Sequence, residues 1–104
     1  MDLYCIVMTT FENEEQALEI INAVIEKKLA ACVQSFDIKS HYFWKNEVCH
    51  DKELLVLFKT KKELFSDIKT LIEKMHPYET PEIIEVPISN GSKSYLEWIQ
   101  ESTI

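Results

Sequence analysis

The segment Leu54-Leu55-Val56-Leu57-Phe58 (LLVLF) decides the fold of this 104-residue chain. Five consecutive apolar residues leave a strand no polar face for water, so this strand must be covered on both sides. The preceding stretch, Ala31–Trp44, has the pattern of an extended chain, and Lys45-Asn46-Glu47 offers a turn because Asn tolerates a positive φ. We therefore predict a long hairpin whose returning strand carries the LLVLF segment.

Side-chain alternation defines the faces of the outgoing strand of this hairpin. One face, at period two, carries Phe36, Ile38, Tyr42 and Trp44. Val33 has the opposite parity, which predicts a bulge or bend near Gln34–Ser35. Aromatic residues at this spacing are typical of packing, so we expect Tyr42 and Trp44 to lie in a contact between subunits.

Two stretches have the periodicity of amphipathic helices. In the first, Asn13 is the expected N-cap and Gln16 closes a capping box. Its apolar stripe consists of Ala17, Leu18, Ile21, Val24 and Ile25. In the second, Thr60 is the expected N-cap, with Glu63 at the capping-box position. Its stripe consists of Leu64, Phe65, Ile68, Leu71, Ile72 and Met75.

Three shorter elements complete the pattern. Leu3–Met8 is an apolar run suited to a buried strand. Glu82–Ile88 is a further strand, in which Pro87 indicates a sheet edge or a bulge because proline donates no ladder hydrogen bond. Asn90-Gly91 turns the chain, and Ser92 can cap a last short helix. That helix carries Tyr95, Leu96, Trp98 and Ile99.

The order β-α-β-β-α-β-α is that of an α+β, ferredoxin-like (split β-α-β) sandwich with an antiparallel sheet. We expect one domain over residues 1–104. Two helices cover one sheet face, and the last helix is too short to hide the other. Since large exposed apolar patches mark interfaces, the chain is expected to self-associate.

The charge and composition of the chain exclude several classes of function. The net charge of −7 argues against nucleic-acid binding, which requires a basic face. No apolar run approaches membrane-spanning length, and no signal peptide precedes the first strand, so we expect a cytoplasmic protein without membrane contact. The three cysteines lack a C-x-x-C pair and are expected to be mostly buried thiols in a reducing compartment.

The loop Met75-His76-Pro77-Tyr78-Glu79 contains the main candidates for binding residues. The second helix should end near His76, because Pro77 disfavours helical geometry in the residue before it. His76 is either a metal ligand or a residue that stabilises this helix end. Tyr78, Glu79 and Lys59 are candidates for a pocket, in which Glu79 could also form an ion pair with Lys59.

No catalytic arrangement is recognisable. No spacing nominates a triad, and a chain with one glycine cannot build a glycine-rich phosphate loop, so we expect no enzyme activity. His41 and His50 lie on the hairpin near Cys49, without a familiar zinc spacing.

Four stretches together resemble the CutA divalent-cation tolerance family. They are KKLAACV (27–33), SHYFW (40–44), HPYETPE (76–82) and YLEWI (95–99), and Lys59-Thr60 fits as well. The resemblance implies a ferredoxin-like subunit in a tight homotrimer that takes part in tolerance of copper and other divalent cations.

The resemblance also implies where a metal would bind. Family members with described copper ligands use a cysteine at the end of the first strand and two adjacent histidines before the proline. Those positions hold Thr9, Met75 and His76 in this chain. The predicted metal contacts are therefore His76 and Met75, whose thioether suits Cu(I).

Three functions remain open at this point. The first is a small trimeric binding protein involved in divalent-cation tolerance. The second is a sensor resembling PII proteins that binds a small metabolite in clefts between subunits. The third is a structural trimer that scaffolds another protein.

Overall fold

The fold is built on a four-stranded antiparallel sheet in the order β2-β3-β1-β4. The computed structural model describes residues 2–104. The strands are β1 (Tyr4–Phe11), β2 (Cys32–Trp44), β3 (Glu47–Lys61) and β4 (Ile84–Ile88), and the helices are α1 (Glu14–Glu26), α2 (Phe65–Met75) and α3 (Lys93–Ser102). This order and topology confirm the ferredoxin-like α+β fold.

The core lies between one sheet face and the helices α1 and α2. On β3 the alternate residues Leu54, Val56 and Phe58 are buried toward the helices. Leu55 and Leu57 point to the opposite face and are only half-buried. The LLVLF segment therefore places apolar side chains on both faces of the central strand, as expected of an unbroken apolar run.

The start of α1 is confirmed, but its apolar stripe is rotated. The side chain of Asn13 accepts a hydrogen bond from the Gln16 N–H at 3.0 Å, and the Gln16 side chain accepts from the N–H of Glu12 rather than Asn13. The buried row is Ala17, Ile20 and Val24. Two stripe residues of the prediction, Leu18 and Ile25, are exposed because they lie around the helix from this row.

The expected cap at Thr60 is wrong. Thr60 lies inside β3, fully buried, and its hydroxyl donates to the Leu29 carbonyl at 2.5 Å. Strand β3 continues to Lys61, and a 3-10 turn at Lys62–Leu64 leads into α2. The hydroxyl thus bonds to a residue far away in sequence. A local capping pattern contains no information about such a contact.

The hairpin is regular throughout, so the bulge expected near Gln34–Ser35 is wrong. Pairing runs without a break from Cys32 opposite Lys59 to Trp44 opposite Glu47. The turn residues Lys45 and Asn46 have φ of 50° and 65°. This type I′ geometry matches the twist of the strands and allows a tight two-residue turn.

The interior strand β1 and the edge strand β4 both differ from their predicted limits, since β4 begins at Ile84 and not at Glu82. Strand β1 extends past Met8 to Phe11, so Thr9 and Thr10 lie inside it and are buried. Strand β4 is an edge strand, where the missing N–H of Pro87 removes no interior ladder bond.

The second sheet face is covered only at one end. There α3 buries Ile99, places Tyr95 5.6 Å from the Lys59 ammonium, and accepts a weak 3.5 Å bond from the Tyr4 hydroxyl at Gln100. Beyond α3 the face is apolar, and pairing across the strands aligns Ile84, Met8 and Leu57 in one row and places Phe36 opposite Leu55.

This remaining area is the open face, defined by Ile6, Met8, Phe36, Leu55, Leu57, Ile84 and Val86. Phe36 is 52% exposed and Ile84 is 47% exposed. Side chains of this size on adjoining strands form a continuous apolar patch, which is the mark of an interaction surface.

Two buried threonines under the helices provide a matched test of the core. Thr60→Val should lower the free energy of unfolding by about 1–3 kcal/mol, because it leaves the Leu29 carbonyl buried without a partner. Thr9→Val should be neutral or stabilising, because the Thr9 hydroxyl is buried without a hydrogen-bond partner within residues 2–104. Denaturant unfolding measures both, and equal losses would contradict these assignments.

Candidate functional site

The His76 ring is held by two backbone groups. Its Nε2 lies 2.7 Å from the Thr10 carbonyl, and its Nδ1 accepts the Tyr78 N–H at 3.0 Å. The ring stacks on Phe11 with centroids 4.4 Å apart. These contacts tie the residue after α2 to strand β1 and to the loop that follows Pro77.

The partners of His76 fix its protonation state. Because Nδ1 accepts a hydrogen bond and Nε2 faces a carbonyl, the ring is the neutral tautomer with its proton on Nε2. Burial lowers the pKa of His76, against smaller opposing effects of the Thr10 carbonyl and Glu53. The ring therefore stays neutral at pH values where an exposed histidine gains charge.

The predicted metal contacts are adjacent, but the ring has no free nitrogen. Met75 ends α2 and packs half-buried against the core. A metal on Nδ1 of His76 would displace the Tyr78 hydrogen bond and leave the bond to Thr10, whereas a metal on Nε2 would cost both hydrogen bonds. Within residues 2–104, no three His, Cys, Asp or Glu side chains form a metal-binding group.

A cleft of about 790 Å³ lies beside this loop. It is bounded by the β2–β3 hairpin on one side and by residues 78–82 on the other. Its lining residues are Thr10, Glu12, Ser40, His41, Tyr42, Trp44, Asp51, Lys52, Glu53, Tyr78, Glu79, Thr80 and Glu82. Tyr78 and Glu79, the two loop residues expected in a pocket, are both among them.

The cleft is acidic. Five carboxylates line it, with Lys52 as the only lysine of the lining. The Tyr78 hydroxyl donates to Glu53 at 2.8 Å. Burial raises the pKa of Glu82, and the charge of Glu53 raises it further. Such a cleft favours cations over anions.

Comparison with known proteins also connects the chain with divalent cations. A sequence model of the CutA1 divalent ion tolerance protein family matches residues 5–102. The chain belongs to this family. The divalent-cation tolerance protein CutA of Thermotoga maritima is 42% identical over 99 residues, which cover 95% of this chain and 98% of that protein. Its counterpart in Thermus thermophilus is 41% identical, with 94% and 96% covered.

A solved structure agrees in fold. The periplasmic divalent cation tolerance protein CutA from Archaeoglobus fulgidus superposes with a TM-score of 0.93 at 36% identity, covering 96% of this chain and 98% of that one.

Lys59 is not part of the cleft in this CutA1 family member. It lies near Tyr95 on α3. Glu79 instead lies 3.8 Å from Lys45, and both side chains are 73% exposed, so the pair contributes little. Tyr42 and Trp44 line the cleft from the hairpin and remain partly exposed.

Sequence reasoning found Glu79 but missed the other four acidic residues of the cleft, which are Glu12, Asp51, Glu53 and Glu82. Glu53 directly precedes the LLVLF segment and lies opposite Ile38, so continuing the strand alternation backwards would have placed it. Glu12 and Glu82 are brought in by tertiary contacts alone. The cysteine expectation holds only for Cys5, because Cys32 and Cys49 are half-exposed. Burial raises the Cys5 pKa to about 11.

The buried neutral His76 should make stability depend on pH. The unfolded chain binds a proton at His76 near pH ~6.5, whereas the folded chain resists it, so this contribution is lost as pH falls below that value. His76→Gln keeps an N–H for Thr10 but does not titrate, and should flatten the decline in unfolding free energy between pH 7.5 and 5.5. Ser94→Ala, at an exposed position without an ionisable side chain, is the control and should keep the slope; an unchanged slope in His76→Gln would contradict the prediction.

Proposed function

We propose that the protein is a non-enzymatic homotrimer that takes part in the response to divalent cations, with copper as the leading candidate. The observation that carries this proposal is membership of a family whose relatives bear the name divalent-cation tolerance protein. The acidic cleft and the net charge of −7 support a cationic ligand.

The assembly follows from what the subunit leaves uncovered. The open face needs an apolar cover that α3 does not extend far enough to supply. The hairpin forms part of a subunit 44 Å long and 26 Å wide, and it presents Tyr42 and Trp44 on the same face as Phe36. A neighbouring subunit seated on this face would cover both and would complete one wall of the cleft.

The metal contact of the loop is the finer part of the proposal. Cu(I) would be held by the Met75 thioether and by Nδ1 of His76, which would exchange its hydrogen bond from Tyr78 for the metal. The loss of that bond predicts modest affinity. Soft sulfur favours Cu(I) over Zn²⁺.

Two alternatives are less well supported. A metabolite sensor resembling PII proteins and a scaffold were both compatible with the sequence, but the names of the relatives support cation tolerance instead.

We place the protein in the cytoplasm. Among residues 2–104, no helix has the length and apolarity that a membrane crossing requires. The A. fulgidus protein named above is described as periplasmic, so fractionation of the native cells is the test. Recovery of the protein with periplasmic markers would overturn this assignment.

The trimer predicts a mass of about three times 12.2 kDa in light scattering. Trp44→Ala should shift this mass toward that of the subunit, because truncating a buried aromatic costs about 3–5 kcal/mol. Trp98→Ala is the matched control, since the two side chains are 40% and 42% exposed in the subunit. A monomeric wild type, or the same trimer in Trp44→Ala, would contradict the proposed assembly.

The loop contact predicts weak Cu(I) binding under reducing conditions. Calorimetric titration should show weaker binding by His76→Gln and by Met75→Leu, which removes the sulfur at similar size. The same two substitutions should change Zn²⁺ binding less than Cu(I) binding, because the loop favours the softer ion. Identical Cu(I) binding by wild type and both variants would remove the metal from this loop while leaving the trimer untouched.

A further inference from the structure

Two histidines face each other across the hairpin, and one of them, His41, also borders the acidic cleft. His41 and His50 are direct partners in the antiparallel register of β2 and β3. Their Nδ1 atoms lie 2.7 Å apart, and the ring centroids are separated by 5.0 Å. Both side chains are exposed to solvent. At this distance one Nδ1 must carry a proton that the lone pair of the other accepts.

We propose that His41 and His50 form a two-imidazole chelate for a borderline divalent cation such as Ni²⁺, Cu²⁺ or Zn²⁺. The cation would take the place of the shared proton and bind both Nδ1 atoms. The ring that held its proton on Nδ1 would carry it on Nε2 instead, so two neutral rings bind without net proton release. Water would complete the coordination shell.

The geometry requires little movement. Two imidazole nitrogens on tetrahedral Zn²⁺, with bonds of about 2.05 Å, lie roughly 3.3 Å apart. In a square-planar site the same bond length gives roughly 2.9 Å. The observed 2.7 Å therefore needs an opening of about 0.2–0.6 Å, which small rotations of two exposed side chains supply.

The hairpin fixes the pair in advance. The unbroken register and the two-residue turn hold the two Cα atoms opposite each other, so neither strand has to slip for both rings to reach one cation. The pair lies on the hairpin face opposite Tyr42 and Trp44, because neighbouring residues on a strand alternate sides. Cys49 pairs with Tyr42 and so belongs to that other face.

The neighbouring pairs set the limits of this site. Lys39 and Lys52 are paired on the same hairpin face and oppose a bound cation, while Phe43 and Val48 flank the histidines on the turn side. The lysine charges are solvated, so their repulsion is strongly screened. Lys52→Gln should accordingly tighten cation binding modestly.

The chelate does not rest on the proposed function, since it needs only the register of the hairpin. Ni²⁺ is the first probe, because it favours imidazole nitrogen, and Zn²⁺ is the second. Calorimetry on the full protein in its native assembly should give one cation per subunit. His41→Gln and His50→Gln should each lose more than about tenfold in affinity. The double variant should lose little more, since one imidazole alone cannot chelate.

Nitrogen NMR of the histidine rings shows directly which ring nitrogen binds the cation. A purely structural role of the two histidines would not produce such a change on addition of Zn²⁺. Zn²⁺ should perturb Nδ1, rather than Nε2, of both His41 and His50. The ring signals also separate this site from the loop after α2, because a cation bound at the loop would perturb the ring of His76 instead of those of His41 and His50. Wild-type affinity in either hairpin variant, independent additive losses, or no stoichiometric binding by the wild type would overturn the proposal.

Discussion

Burial of strand β3 on both faces is the constraint on which the rest of the structure depends. Helices α1 and α2 meet half of this requirement by covering Leu54, Val56 and Phe58. On the other face α3 covers only the end near Lys59, and Leu55 and Leu57 remain part of the open face. The proposed assembly would cover this face, and any stabilisation gained there would link folding to assembly.

The same strand also organises the chemistry. From Glu47 to Lys59 it pairs with β2 to form the hairpin that carries His41, His50, Tyr42 and Trp44. Glu53 lies immediately before the apolar segment. Its carboxylate accepts a hydrogen bond from the hydroxyl of Tyr78, in the loop after α2. His76 fastens this loop to β1 through Thr10. The acidic cleft is thus a consequence of where the central strand changes from polar to apolar.

The structural features that were predicted correctly from the sequence are those that depend on local patterns. The element order, the stop of α2 before Pro77 and the cap at Asn13 follow from periodicity and backbone chemistry, and all three are present. The cap at Thr60 and the bulge near Gln34–Ser35 were wrong. Thr60 bonds to a residue far away in sequence, and the parity of Val33 changed nothing because β2 pairs continuously with β3.

The site was predictable to a smaller extent. The family motifs drew attention to His76, Tyr78 and Glu79, but the sequence does not show that both His76 nitrogens are occupied by backbone groups. Likewise, Lys59 was a reasonable partner for Glu79 by charge, yet the fold places it beside Tyr95. Contacts between distant segments decide these questions, and local patterns do not contain them.

The central claim, that the open face is covered by further copies of the chain, is tested most directly by the concentration dependence of unfolding. Guanidinium unfolding would be recorded over a hundredfold range of protein concentration. For a trimer that unfolds to three chains, mass action adds about 5 kcal/mol per trimer over this range, so the midpoint should rise with concentration. A midpoint independent of concentration would show that the subunit is stable with its open face exposed and would contradict the account.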